Sequence, residues 1–344
     1  MINVGMDVHS VNTVLHFFDP QAAEDRQHRS LTVPTTAKDL TVALRPLKGQ
    51  CRVAYEVGVQ AQWVASVVRP LAAEVQVANS SRIPWLFRDG RKNDKLDAKK
   101  LATLLYLRQL PTVHLPAADV SAWRALINHR RSLIKRRTML KNQVRSILRA
   151  FQERCPHKSC WTKVGRVWLK SLNFDSARNI MMNSLLWELE TLELHIDKVE
   201  EQLNQIAASQ PAVALLRTIP GIGPRSAEAI VAFADQVSRF RNRKEFASYF
   251  GMTPTQDSSG LVDRHGHISK RGPSVVRWVL VEAVHRVIQY CPVMRAFFER
   301  IWQGKKDRYK KAIVAVGRKV LAVAFAMLRE NKAFDPNRVL PNAA

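Results

Sequence analysis

The chain has 344 residues, 46% hydrophobic and 24% charged, the balance of an ordinary globular protein with core enough for two or three domains. Its charge is not ordinary. With 54 Lys+Arg against 29 Asp+Glu, the formal net charge is +25, which points to a polyanionic partner, because each neutralised phosphate releases counterions. No apolar run approaches the roughly 20 residues of a membrane span, and no secretion signal opens the chain, so no membrane role is expected.

In chain order, Ile2–Val8 and Thr13–Phe18 are apolar runs joined by a polar His9-Ser10-Val11-Asn12 turn, the pattern of a hairpin. Ser30–Val33 is a third run, ended by Pro34. Thr36 is placed to cap a helix reaching Leu47, with Leu40, Val42, Leu44 and Leu47 supplying its apolar face. Arg52–Val57 reads as a buried strand, Gln60–Val68 as a helix and Glu74–Ala78 as another strand. A helix then opens at Asp94. The order β-β-β-α-β-α-β-α is that of a ribonuclease-H-like α/β fold.

From Ser121 to Phe151 the pattern becomes one long basic helix, with Trp123, Leu126, Leu133, Leu140, Val144, Ile147 and Phe151 at three-four spacing. Leu185–Ile206 keeps the same spacing for about three heptads. Two such helices pack on each other or on a second copy of the chain, and periodicity weighs the two equally. The stretch between them, with Pro156, Trp161 and Trp168, resists assignment. The four cysteines are Cys51, Cys155, Cys160 and Cys291. They show no disulfide-like order and read as reduced thiols, and Cys155, His157 and Cys160 are poorly spaced for zinc. Pro211 breaks the second helix. Beyond it, Ile219-Pro220-Gly221-Ile222-Gly223-Pro224-Arg225 has the form of a helix-hairpin-helix element, whose Gly221 and Gly223 would let backbone amides meet a DNA phosphate beside Arg225. A Pro-Gly loop between packed helices is the competing reading. Ser274–Glu330 reads as helical and basic. The expected division is 1–115, 116–210 with the coiled-coil helices, and a mostly helical 211–344.

Four acids carry the chemistry. Asp7 ends the first apolar run and Glu56 a later one; Asp94 and Asp97, three residues apart, share a helix face. Magnesium takes oxygen ligands and keeps several waters, so a few convergent carboxylates suffice to hold it for phosphodiester chemistry. Singly, each acid also reads as a cap or a solvated charge, Asp94 above all as an N-cap. Asp7 and Glu56, however, lie in apolar runs where an unpaired carboxylate is costly. A second constellation, Gly251-Met252-Thr253-Pro254 through Ser258-Ser259-Gly260 to Lys270-Arg271-Gly272, sets a Ser-Gly pair in a basic loop. That serine is a nucleophile or a turn residue. Lys270, Arg271 and Arg277 are candidates to cradle a phosphate.

Taken together, Val4-Gly5-Met6-Asp7-Val8-His9, Tyr55-Glu56-Val57-Gly58, Asn93-Asp94-Lys95-Leu96-Asp97-Ala98 and the Gly221, Thr253-Pro254, Ser259-Gly260 and Lys270-Arg271-Gly272 segments resemble the DEDD transposases of bacterial insertion sequences. This group includes the Piv-type invertases and the bridge-RNA-guided recombinases. The resemblance implies a RuvC-like N-terminal half in which Asp7, Glu56, Asp94 and Asp97 bind Mg2+, with Mn2+ as an alternative. It implies that Ser259 is the nucleophile that forms a phosphoserine with double-stranded DNA, Ser258 being the alternative. It also implies a noncoding guide RNA, a homodimer assembling to a tetramer, and a cytoplasmic, nucleoid-associated protein. The family commonly has Thr before its third acid. Asn93 stands there, and Asn also hydrogen-bonds at a helix start. A hydrolytic RuvC-like nuclease with a structural Ser259, and a non-catalytic nucleic-acid-binding protein, are the competing functions.

Overall fold

The computed structural model describes residues 1–79, 93–259 and 262–338, in two compact units, Met1–Ser121 and Ala122–Ala344. The first is built on strands β1 (Ile2–Val8), β2 (Asn12–Phe18), β3 (His28–Pro34), β4 (Cys51–Glu56) and β5 (Glu74–Ala78), interleaved with helices α1 (Ala37–Leu44), α2 (Ala61–Val68) and α3 (Asp94–Tyr106). The strands form one mixed sheet in the order β3-β2-β1-β4-β5. β1 and β2, and β2 and β3, are antiparallel, whereas β4 runs parallel to both β1 and β5.

Local chemistry sets these boundaries. Thr36 caps α1 as expected, its Oγ1 accepting from the Asp39 amide at 3.1 Å. The helix then stops at Leu44 rather than Leu47, because Pro46 has no N–H to continue the helical hydrogen-bond ladder, and a 3-10 turn takes over Arg45–Leu47. On one face of the sheet Val4, Met6, Val53, Tyr55 and Leu15 pack with Leu40 and Leu44 of α1 and Val64 and Val68 of α2. α3 packs against β1 and β2. Its contact with β1 is close enough that a Cβ on Gly5 would lie 2.0 Å from the Ala98 carbonyl oxygen.

The second unit is mostly helical. α4 (Ala118–Ala150) opens just before the division between units and is followed by α5 (Lys163–Ser171) and α6 (Ser176–Ala208). α4 and α6 form an antiparallel intramolecular hairpin, burying Leu133 and Leu140 against Leu189, Leu192 and Ile196; each such side chain contributes roughly 1.5–3 kcal/mol. Lys141 and Arg166 both reach Glu193, at 3.3 and 2.5 Å, and tie α5 to the pair. The hairpin is thus one of the two packings that the heptads allow. α6 begins nine residues before the expected Leu185, with Asp175 capping it through the Arg178 amide.

Beyond Pro211 come α7 (Pro211–Leu216), α8 (Pro224–Ala234), α9 (Arg243–Tyr249), strands β6 (Pro254–Ser259) and β7 (Val262–Ile268), and helices α10 (Ser274–Tyr290), α11 (Pro292–Trp302) and α12 (Tyr309–Glu330). Ile219, Ile230, Phe246, Phe250, Leu280 and Val320 lie in their shared core. The loop expected at 251–272 is instead an antiparallel β6–β7 hairpin, irregular between Pro254 and Gln256. Its strands Pro-Thr-Gln-Asp-Ser-Ser and Val-Asp-Arg-His-Gly-His-Ile carry almost no apolar alternation, so pairing of the backbone, not burial of a face, makes them strands.

Candidate active site

Asp7 sits at the carboxyl end of β1. One residue beyond the Met6–Tyr55 pairing on the parallel neighbour β4 stands Glu56, so the sheet brings the first two acids to adjacent strand ends. Gly5 admits α3 against β1, and α3 delivers the other two. Asn93 caps that helix, its Oδ1 accepting from the Lys95 amide at 3.0 Å. The cap is therefore Asn93, not Asp94, and Asp94 is left in the first turn with its carboxylate available. Asp97, one turn on, is buried.

His9, in the turn after β1, joins the half-buried Asp7 to the exposed Asp94. Its Nε2 lies 3.3 Å from Asp7 Oδ2 and 3.6 Å from Asp94 Oδ2. The ligand atoms of Asp7, His9 and Asp94 all fall within 4.8 Å of one another. Burial pushes the Asp7 carboxyl above its ordinary range, His9 pulls it down, and Asp94 and Asp97 push it up again. Gathered like charges of this kind are costly without a cation. Hard carboxylate oxygens suit Mg2+ and Mn2+ alike, so the donor set fits the divalent metal that the sequence implies. The cluster borders an open cavity lined by His9, Asn12, Thr32, Asn93 and Lys95.

His9 had no assigned role in the sequence, although it closes the Val4–His9 motif. Its signal was its place two residues after Asp7 across a tight turn, which brings both side chains to one sheet edge.

The serine constellation lies in the second unit. Ser259 closes β6 and pairs with Val262 across the two-residue tip; Ser258 pairs with Asp263, one position lower. Residues 260–261 of the tip lie outside the described residues. At the hairpin's base Arg277 donates through Nη1 to the carbonyls of Phe250, Arg271 and Gly272 at 3.1, 2.9 and 3.1 Å. Its guanidinium thus holds the Lys270-Arg271-Gly272 turn in place, while Lys270 and Arg271 themselves are exposed.

The helix-hairpin-helix candidate forms between α7 and α8, and its residues divide. Gly221 (φ 91°) turns inward: a Cβ there would lie 2.4 Å from the Val287 amide of α10, so the glycine serves helix packing. Gly223, at the start of α8, faces open space. Arg225 reaches the buried Glu228 at 3.0 Å and also donates to Asn204.

Two family models match this chain. One, for DEDD transposases of IS110 type, covers residues 4–152, and one for the transposase IS116/IS110/IS902 family covers residues 213–299. The chain is 27% identical to a "Probable family 20 transposase" of Pseudomonas aeruginosa over 83% of this chain and 86% of that protein. It is 22% identical to the transposase for insertion sequence element IS1111A of Coxiella burnetii, over 71% and 68%. A pilin gene-inverting protein of Moraxella lacunata is 30% identical over 41% of this chain and 45% of its own length. The two model matches fall in order along the chain and together span more than two thirds of it, and the protein belongs to the IS110/IS116 family of DEDD transposases.

Proposed function

We propose that this transposase cuts and rejoins insertion-sequence DNA through a phosphoserine at Ser259, with Asp7, Glu56, Asp94 and Asp97 holding a divalent cation and a noncoding RNA selecting the sites. The observation that carries the reading is the gathering of Asp7, His9 and Asp94 within 4.8 Å at the end of β1, in a chain that also carries the transposase segment with its serine hairpin. The β3-β2-β1-β4-β5 order, two antiparallel pairs followed by two parallel ones, supports a ribonuclease-H-like first domain. As functional divisions we retain 1–115, 116–210 and 211–344.

In this mechanism Ser259 Oγ attacks a DNA phosphorus. The Oγ–P bond forms as the P–O bond to the departing deoxyribose oxygen breaks; the serine proton leaves and the departing oxygen gains one. The ester energy stays in the phosphoserine, so a new sugar hydroxyl can reverse the step and join a different strand without an external energy source. A bound cation would supply charge neutralisation at the phosphate oxygens. His9 orients Asp7 and Asp94, and Arg277 fixes the turn beside the hairpin so that Ser259 is presented on a braced strand. Lys270 and Arg271 stand free to contact the DNA backbone, and Gly223 offers the open turn a phosphate would need.

A stripe on α6 supports assembly into a homodimer and then a tetramer. Ile180, Trp187 and Leu194 recur every seven residues and are 72%, 70% and 63% exposed, a seam suited to the same stripe on a second copy. No described helix is long and apolar enough to cross a membrane. Purified protein with donor and target plasmids tests the reading. Ser259→Ala is expected to abolish strand exchange; nicking that survives the substitution would make the protein a hydrolytic nuclease.

A further inference from the structure

A cavity of about 370 Å3 opens among α9, α11 and α12, lined by none of the expected site residues. Arg318 and Lys319 enter it from α12, and Arg243 and Lys244 from the first turn of α9. Ala315 and Ala322, one turn to either side on α12, keep its floor small. Phe297 of α11 forms a wall, with the Lys319 ammonium 5.9 Å and the Arg300 guanidinium 5.2 Å from the ring centre.

Four cations thus line the cavity, and Lys319 shares the Phe297 ring with Arg300. Among the described residues none of them has a carboxylate partner; burial and then the like charges of Arg243 and Arg300 lower the Lys319 pKa. A fold that packs cations this way without an internal acid is left with repulsion that an anion would relieve. Thr253 also lines the cavity, and it immediately precedes β6, so the cavity sits at the root of the serine hairpin. At the ordinary rise of a strand, Ser259 lies roughly 20 Å along the chain from Thr253, a span of about six phosphates on one strand of a duplex.

We infer that this cavity is a phosphodiester-backbone clamp, seating a nucleic-acid phosphate among Arg243, Arg318 and Lys319 with the adjoining sugar or base against Phe297. Guanidinium and ammonium groups give the phosphate charged donors, and the ring gives the nucleoside an apolar face. Held there, the backbone is gripped at a set distance along the chain from the serine. The inference rests on the protein's acting on nucleic acid, and duplex DNA and RNA share the chemistry the clamp recognises.

Fluorescence anisotropy on the full-length protein, with labelled duplex DNA and labelled RNA of equal length across a salt series, tests it. Arg318→Gln with Lys319→Gln is expected to weaken binding roughly tenfold at physiological salt and to flatten the slope of log affinity against log salt by about two. Lys38→Gln with Lys48→Gln, which removes the same charge from the first unit, is expected to leave binding within about twofold. Thermal melting checks folding, and Arg318→Gln alone, at an exposed position, is expected to give about half the change in slope. The arm that loses affinity identifies the strand held there, and loss in both arms identifies a site shared by the two. Wild-type affinity and slope in the folded double variant, or equal losses from the remote pair, would overturn the clamp. Failure of wild-type protein to bind either nucleic acid would instead overturn the functional reading on which it rests.

Discussion

Gly5 decides whether the acid site exists at all. Any side chain there would place its Cβ 2.0 Å from the Ala98 carbonyl oxygen and 2.6 Å from the Ala102 amide, both backbone atoms that move only if α3 moves. Gly5→Ala is therefore expected to cost about 3 kcal/mol by overpacking, read as a lowered urea midpoint, and to shift Asp94 and Asp97 away from Asp7. An unchanged midpoint would mean that α3 does not lie on β1 as described. Asp7 and Glu56 were legible as candidates, because a carboxylate inside an apolar run signals that something must offset its charge. His9 was not, since a histidine in a polar turn looks like any surface residue until the turn folds it back beside Asp7. Arg225 and Arg277 mark the opposite limit. A basic residue near a glycine turn reads as a phosphate ligand, yet these two are engaged within the fold, one by Glu228 and Asn204 and the other by three carbonyls.

Among the elements, α8 carries a charge network that ties it to the α4–α6 hairpin. Glu228 on α8 is 1% exposed, one of its oxygens has no partner, and burial pushes its pKa up to about 7. Arg225 and Arg130 pull it down and Glu200 pushes it up. Because the folded value lies above the ordinary value of 4.5, the fold holds this proton more tightly than the unfolded chain does. Stability from this group is greatest in acid and declines as pH rises through about 7, by roughly 3 kcal/mol in all. Glu228→Gln is expected to remove that decline in urea titrations between pH 5 and 8; a decline that persists in the variant would assign it to another group. Elements defined by apolar periodicity, such as α4 and the central strands, were legible from the sequence within a few residues, whereas the first nine residues of α6 lie outside the heptad seam and were not. The β6–β7 hairpin was not, because polar strands held by backbone pairing leave no pattern in side-chain chemistry. The α4–α6 hairpin was legible only as one of two options, since a heptad seam does not say whose helix fills it.

For the whole molecule, the net charge of +25 and the exposed stripe of Ile180, Trp187 and Leu194 on α6 support the two kinds of partner in the proposed function, a polyanion and a copy of the chain. Trp187→Asp with Leu194→Asp is expected to reduce the mass measured by light scattering to that of a single chain while leaving helix content intact. A mass that does not change would place the assembly surface elsewhere. The central claim is that Ser259 bonds covalently to DNA, and the most direct measurement is recovery of protein–DNA adducts after lysis in denaturant of cells carrying the protein, its native flanking DNA and a target plasmid. An adduct is expected in wild type, absent in Ser259→Ala, retained in Ser258→Ala, and lost in Asp97→Ala. Metal-dependent nicking with no adduct in wild type would contradict it and leave Ser259 a residue of the hairpin tip.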